Sequence, residues 1–174
     1  MKNNTQLNHQ AHKPTFKKHP LQIIASDIHD PLNVGSLFRL SDALGIEKLY
    51  LCGNTAVPPD NKINKTARAT IKHVEYEYQE NTETLVKSLK SSNVYIISLE
   101  ITSSSLSINT EAFAKKIKNK QPVALIIGSE NTGVSQTLLS LSDVSVHIPM
   151  SGNNSSMNLV SAASIACFEI CQTF

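Results

Sequence analysis

Three short segments of this 174-residue chain combine glycine with polar side chains that could take part in group-transfer chemistry. The first contains Asn33 and Gly35, with Arg39 shortly after them. A glycine lets the backbone approach a ligand closely, and an arginine guanidinium can hold a phosphate through two parallel hydrogen bonds. The structural alternative is that Asn33 caps a helix and Arg39 is an ordinary surface residue. Taken alone, this segment leaves both interpretations open.

The second segment, residues 128–133, places Glu130 between two glycines directly after an apolar stretch. Its glycine spacing differs from the dinucleotide-binding fingerprint, and a glutamate at this position would repel a pyrophosphate. A carboxylate between glycines suits the hydroxyl groups of a ribose, or a cationic ligand. A tight turn that carries a solvated glutamate is the structural alternative.

The third segment, residues 148–158, is rich in serine and asparagine and leads into the last predicted helix. Ser155 or Ser156 could cap that helix and also present hydroxyl groups to a ligand. Asn158 is interpreted as lying within the first helical turn, where asparagine is a weak helix former. That placement favours a functional role for Asn158 over a purely structural one.

The elements that must position these segments follow from hydrophobic periodicity. Strands are predicted at residues 21–28, 48–52, 74–78, 94–99, 123–127 and 144–148, and helices at residues 35–44, 62–69, 83–89, 134–141 and 157–172. Strands that alternate with helices predict an α/β fold with a mostly parallel sheet and helices on both faces. Ligand-binding loops in such sheets lie beyond the carboxyl ends of the strands, so the three segments can converge on one crevice.

Composition limits the class of protein. Hydrophobic residues make up 40% and charged residues 17% of the chain, which is typical of a globular domain and argues against disorder. No apolar run is long enough for a transmembrane helix, and the N-terminus lacks the apolar segment of a secretory signal. Cys52, Cys167 and Cys171 form no metal-spaced pair, so we expect reduced thiols, a cytoplasmic location and no metal site.

The domain boundary is predicted near Pro20. Residues 1–20 are polar and carry several lysines and histidines, which favours a flexible basic arm, although a leader without function would look the same. Residues 21–174 are expected to form one folded domain.

Together, the three segments resemble the three motifs of the SpoU (TrmH) family of RNA 2′-O-ribose methyltransferases, within the SPOUT superfamily. Those motifs read Asn-x-Gly-x-x-x-Arg, Gly-x-Glu-x-x-Gly, and Ile-Pro-Met followed by Ser-Ser-Leu-Asn. The matching residues here are Asn33, Gly35 and Arg39, then Gly128, Glu130 and Gly133, then residues 148–150 and 155–158. Met157 replaces the usual leucine and Ser129 replaces a common asparagine or alanine, and neither change removes a polar catalytic group. The resemblance covers residues 21–174.

The resemblance implies an α/β fold with a C-terminal trefoil knot, S-adenosylmethionine as cofactor without a metal, and a homodimer. It assigns removal of the ribose proton to Arg39, assisted by an RNA phosphate. Because a free guanidinium stays protonated at neutral pH, Arg39 is either the base or an electrostatic organiser. The implied positioning residues are Asn33, Glu130, Ser156 and Asn158. The implied cofactor-pocket residues are Leu99, Gly128, Ile148 and Met157.

RNA as the substrate rests on the resemblance, because a net charge of +2 does not require a nucleic-acid partner. The target is expected in tRNA or ribosomal RNA, with tRNA favoured and guanosine one candidate nucleoside. Candidate phosphate contacts, which could equally be ordinary solvated side chains, are Lys17, Lys18, Lys62, Lys65, Arg68, Lys72 and His73. Two other functions stay open: an RNA-binding protein of this fold without catalysis, and a SPOUT methyltransferase acting on a base nitrogen.

Overall fold

A single parallel sheet of seven strands organises the chain. The computed structural model describes Thr5, Gln6, Ala11, Lys13 and residues 15–174, so the predicted arm lies partly outside the described residues and its flexibility stays a prediction. The strands are β1 His19–Ser26, β2 Ile46–Cys52, β3 Tyr76–Gln79, β4 Tyr95–Leu99, β5 Leu106–Ser107, β6 Val123–Ile127 and β7 Val144–His147. Their order across the sheet is β3-β2-β1-β6-β4-β7-β5, and every neighbouring pair is parallel.

Helices connect the strands and cover both faces of the sheet. They are α1 Pro31–Leu44, α2 Asn61–Ala67, α3 Thr82–Ser91, α4 Glu111–Ile117, α5 Gln136–Leu141 and α6 Leu159–Cys171, with a 3₁₀ helix at Arg68–Lys72. Successive strand residues point to opposite faces, so Ile23 packs in the cluster with Phe38 and Cys167 while Ile24 packs with Val86 and Leu138. The prediction of an α/β fold with a parallel sheet covered on both faces is confirmed.

Several predicted boundaries differ from the observed ones. The first strand begins at His19 and ends at Ser26, and α1 begins at Pro31, four residues before the predicted start. Asp30 caps α1 by accepting a hydrogen bond of 2.9 Å from the Leu32 amide, and proline suits the first helical position because it needs no amide donor there. An aspartate followed directly by a proline is the sequence signal for this helix start.

Two elements were missed between residues 100 and 122. Strand β5 has only two residues, and α4 has seven, of which only Phe113 and Ile117 are buried. In α4 only Phe113 and Ile117 are large and apolar, and one such pair gives too little periodicity to predict a helix. The trefoil knot implied by the resemblance stays a prediction. Within the described residues, none of the helices combines the length and the apolar character that crossing a membrane requires.

The strand order determines which loops become neighbours. Strand β6 lies between β1 and β4, and β7 lies on the far side of β4. Because all these strands are parallel, the loops that follow β1, β6, β4 and β7 emerge side by side at one edge of the sheet. The three segments singled out in the sequence follow β1, β6 and β7.

Candidate active site

The first and second segments meet through one side-chain contact. The Asn33 amide nitrogen donates a hydrogen bond of 2.5 Å to Oε1 of Glu130, across 97 residues of sequence. Asn33 lies in the first turn of α1, which Asp30 and Pro31 initiate. Asn33 is therefore not the cap of this helix, and its side chain is free to hold the carboxylate.

Gly35 lies where α1 packs against α2. A Cβ at this position would lie 2.7 Å from Cβ of Thr66 and 2.8 Å from the carbonyl oxygen of Ile63. These atoms belong to α2, so the glycine permits close packing of α1 against α2. A close approach of the Gly35 backbone to a ligand stays a prediction.

Arg39 is exposed on α1, six residues after Asn33. In an ideal helix this spacing places the two residues about 9 Å apart along the axis and about 120° apart around it. Within the described part of the chain, Arg39 forms no hydrogen bond or ion pair. The structure thus leaves its guanidinium available to an anion but does not join it to the pair of Asn33 and Glu130.

The second segment forms a tight loop with almost no room for side chains at its base. A Cβ on Gly128 would lie 2.1 Å from the carbonyl carbon of Gly133, and Gly133 has a φ of +64°. The Ser129 hydroxyl lies 2.7 Å from the Thr132 hydroxyl and accepts a hydrogen bond from the Thr132 amide. The loop therefore closes on itself, with Glu130 exposed at its tip.

Glu100 holds this loop from the end of β4, and the sequence interpretation did not identify it. Its carboxylate accepts hydrogen bonds of 2.9 Å from the Val134 amide and 3.0 Å from the Ile101 amide. A Cβ on Gly133 would lie 2.2 Å from Oε2 of Glu100, so the carboxylate packs directly on that glycine. A glutamate directly after the strand predicted at residues 94–99 was the available sequence signal.

Asn158 in the third segment is the N-cap of α6. Its side-chain oxygen accepts hydrogen bonds of 2.9 Å from the Val160 amide and 3.2 Å from the Ser161 amide. The interpretation that Asn158 lies inside the first helical turn is therefore wrong, because the helix begins at Leu159. Asparagine is among the preferred N-cap residues, so its presence has a sufficient structural reason. Ser156 is exposed just before it and caps nothing in the described structure.

Two adjoining cavities lie where the loops after β4, β6 and β7 meet. The larger has a volume of about 600 Å³ and is lined by Leu99, Glu100, Ile101, Ile127, residues 128–134, Ser156, Met157, Asn158, Leu159 and Ala162. The smaller has about 130 Å³ and includes Ile148. Leu99, Ser156 and Met157 line both cavities. Asn33 and Arg39 line neither, so the contact from Asn33 to Glu130 lies at the border of the larger cavity.

This arrangement can orient a small polar ligand. Glu130 and Glu100 both line the larger cavity, and Leu99 and Met157 supply apolar surface to it. Carboxylates accept hydrogen bonds from hydroxyl groups and attract cations. Among the described residues, no group of three or more histidine, cysteine, aspartate or glutamate side chains is placed to hold a metal ion.

Comparison with known proteins finds relatives of this chain. The chain is similar to the 23S rRNA (guanosine-2′-O-)-methyltransferase RlmB of Blochmanniella floridana, with 28% identity over 150 residues. The aligned region covers 86% of this chain and 56% of that protein, so the chain spans little more than half the length of this relative.

Two solved structures have the same fold. The SpoU methyltransferase AviRb from Streptomyces viridochromogenes, in complex with AdoMet, matches with a TM-score of 0.75 and 22% identity, over 87% of this chain and 59% of that one. The A. aeolicus TrmH/SpoU tRNA modifying enzyme matches with a TM-score of 0.78 and 22% identity, over 90% of this chain and 77% of that one. The model of the SpoU rRNA Methylase family matches residues 20–168, and the chain therefore belongs to that family.

Proposed function

We propose that this chain transfers a methyl group from S-adenosylmethionine to a ribose 2′-hydroxyl of RNA. The observation that carries the proposal is the hydrogen bond from Asn33 to Glu130. It places a held carboxylate beside a cavity of about 600 Å³, which is within the range of small-molecule sites. Membership of the SpoU family supports the same reaction class.

The larger cavity suits S-adenosylmethionine on chemical grounds. The cofactor carries a positively charged sulfonium and an amino group, and the carboxylates of Glu100 and Glu130 line the cavity. The amides of Thr132, Gly133 and Val134 already donate to Ser129 or Glu100, so only the remaining amides of the loop that begins at Gly128 are proposed to bind the cofactor. Leu99 and Met157 supply apolar contact. The AdoMet-bound state of AviRb supports this choice of cofactor.

The chemistry requires a weak nucleophile to be aligned and deprotonated. The ribose oxygen attacks the methyl carbon, the carbon–sulfur bond breaks, and the hydroxyl proton must leave. Arg39, with an RNA phosphate, is proposed either to take that proton or to stabilise the developing oxyanion. Asn33 and Glu130 are proposed to orient the ribose, and Ser156 and Asn158 to shape the side of the site formed by the third segment.

The target is proposed to be a ribose in tRNA or ribosomal RNA, with tRNA favoured. The A. aeolicus neighbour, a tRNA modifying enzyme, supports tRNA, and the RlmB relative acts on guanosine in 23S rRNA. A cytoplasmic location is proposed because Cys52, Cys167 and Cys171 are all unpaired, as thiols are in reducing compartments.

A homodimer is proposed from exposed apolar side chains on two adjacent helices. Leu32 on α1 is 45% exposed, and Ile165 and Phe168 on α6 are 40% and 53% exposed. Apolar side chains of this size are costly to leave in water, so a second copy of the chain is a suitable cover. Light scattering should give twice the monomer mass, and a monomer at all concentrations would contradict this part.

The decisive experiment measures transfer of a labelled methyl group to total RNA, followed by digestion to nucleosides. The proposal expects label in 2′-O-methylated nucleosides. Label in a base-methylated nucleoside would support the base-nitrogen alternative. Absence of transfer, together with absence of S-adenosylmethionine binding in calorimetry, would support the RNA-binding protein without catalysis.

A further inference from the structure

A second concave surface lies at the amino end of the sheet, away from the candidate active site. This amino-end groove has a volume of about 890 Å³, and its lining includes residues that precede β1, β2 and β3. The candidate active site follows the carboxyl ends of the strands. Strand β1 has eight residues and is therefore about 26 Å long, which gives the approximate separation of the two sites.

The amino-end groove is strongly basic although the chain as a whole is nearly neutral. Its lining contains four lysines, Lys13, Lys17, Lys18 and Lys72, and only one acidic residue, Asp42. Among the described residues, none of these lysines takes part in an ion pair. A cluster of lysines without counter-ions repels itself, so it is stabilised by a polyanion that bridges several of them.

An aromatic side chain accompanies the lysines. Phe16 is 87% exposed, precedes Lys17 directly in sequence, and lines the same groove. Exposed aromatic rings between cations are the usual contacts of single-stranded nucleic acids, because bases stack on the ring while lysines meet the phosphates. A ligand made only of phosphate groups would make no stacking contact with Phe16.

We propose that the amino-end groove binds a single-stranded stretch of the RNA substrate, with phosphates on Lys17 and Lys72 and a base stacked on Phe16. The proposal rests on the proposed function, which makes RNA the substrate. It extends that function by locating an RNA contact at the far end of the sheet from the methylated ribose.

Further basic side chains adjoin the groove. The segment formed by α2 and the 3₁₀ helix leads from the loop after β2 to the groove, where it ends at Lys72. Lys62, Lys65 and Arg68 are exposed along it. An RNA that extends from the groove along this segment would therefore meet three further cations.

The test compares two double variants of the full chain with equal changes in charge. K17Q/K72Q alters the groove, and K87Q/K116Q removes two exposed lysines that do not line it. The probe is a labelled oligouridylate of about 15 nucleotides, titrated at several salt concentrations. K17Q/K72Q should bind about tenfold more weakly, with a salt slope smaller by about 1.4 as two phosphate contacts are lost. The control should keep the wild-type affinity and slope, and equal behaviour of the two variants would overturn the proposal.

Phe16→Ala tests the stacking contact separately. Oligouridylate affinity should fall by about tenfold, whereas affinity for heparin, a polyanion without bases, should stay at the wild-type value. An equal loss for both probes would overturn the assignment of a base to Phe16.

Phe168, one of the exposed apolar side chains from which the homodimer is proposed, also lines the groove. Light scattering therefore accompanies each titration. A change of mass in K17Q/K72Q with unchanged RNA affinity would identify the groove as a contact between copies and overturn the proposal.

Methyl transfer separates this proposal from the proposed function. With an RNA that the wild type methylates as substrate, K17Q/K72Q should raise KM for RNA about tenfold and leave kcat unchanged. If the wild type methylates RNA and the variant has an unchanged KM for RNA, the groove proposal is refuted and the proposed function is not. A wild type that binds oligouridylate through the groove but methylates no RNA would refute the proposed function alone.

Discussion

Asn33 and Glu130 form the one described side-chain hydrogen bond between the segments that follow β1 and β6, at a distance of 2.5 Å. The donor is an amide and the acceptor a carboxylate, so each fixes the orientation of the other. A hydrogen bond to a charged group contributes more than one between neutral groups, although exposure to solvent reduces its worth here.

Asn33→Asp should lower kcat for RNA methylation by about tenfold to a hundredfold, because it replaces the hydrogen bond with repulsion between two carboxylates. The double variant N33D/E130Q should recover part of that loss, since glutamine can donate a hydrogen bond to the new aspartate. Steady-state kinetics on purified variants measure both effects. If N33D/E130Q is no better than N33D, the two residues do not act through this contact.

Arg39→Ala should lower kcat by about a hundredfold or more while the affinity for S-adenosylmethionine changes by about twofold or less. The reason is that Arg39 lines neither cavity but is available to an RNA phosphate. Single-turnover kinetics and calorimetry measure the two quantities. Lys87→Ala, which removes an exposed cation outside both cavities and outside the amino-end groove, is the control. Comparable losses of turnover and cofactor affinity in Arg39→Ala would contradict the assignment.

Glu100→Gln should weaken S-adenosylmethionine binding by about tenfold, because the loop that carries Glu130 loses a charged acceptor for the Val134 amide. Gly133→Ala should have an effect at least as large, since its Cβ would lie 2.2 Å from Oε2 of Glu100. Calorimetry measures binding, and Glu111→Gln, on exposed α4, is the control. Wild-type affinity in both site variants would mean that Glu100 does not position the loop.

Asn158 allows a structural role to be separated from a catalytic one. Asn158→Ala should lower the free energy of unfolding by about 1 kcal/mol, whereas Asn158→Asp keeps a side-chain oxygen for the cap and should retain stability. If Asn158 also positions RNA or cofactor, Asn158→Asp should still lose activity. If Asn158→Asp keeps full activity, Asn158 acts only as the N-cap of α6.

The buried thiols predict a stability that falls at alkaline pH. Burial raises the pKa of Cys52 to about 12 and of Cys171 to about 11, from an ordinary value of 9.0, and also raises the pKa of Cys167. Unfolded thiols ionise above about pH 9 while the folded ones stay protonated. The contribution of the buried thiols to the free energy of unfolding is therefore fully present below about pH 9 and is lost as the pH rises above it. Thermal unfolding should show this decline, and it should be smaller in Cys52→Ala.

Thiol reactivity provides an independent check. At about pH 8 the folded protein should resist a thiol-specific reagent, because the thiolate is the reactive form and all three cysteines are buried. In concentrated guanidinium chloride all three should react. Rapid reaction of the folded protein would contradict the burial of these side chains.

The sequence by itself determined the elements and the chemistry that each loop carries. Hydrophobic periodicity and turn residues are local properties, so the main strands and the segments containing Asn33, Glu130 and Asn158 could be predicted. Short elements such as α4 could not, because Phe113 and Ile117 alone give no clear period. Helix starts were displaced where a cap was overlooked, as at Asp30 for α1 and at Asn158 for α6.

Only the tertiary structure decided which of these residues act together. Asn33 meets Glu130 because β6 lies beside β1, and Glu100 reaches Gly133 because β4 is the next strand along. Strand order depends on how the whole set of apolar faces is buried, which no local pattern records. The tertiary structure also decided that Gly35 packs against α2. The lysines before β1 and β3 share a groove only after the sheet has formed.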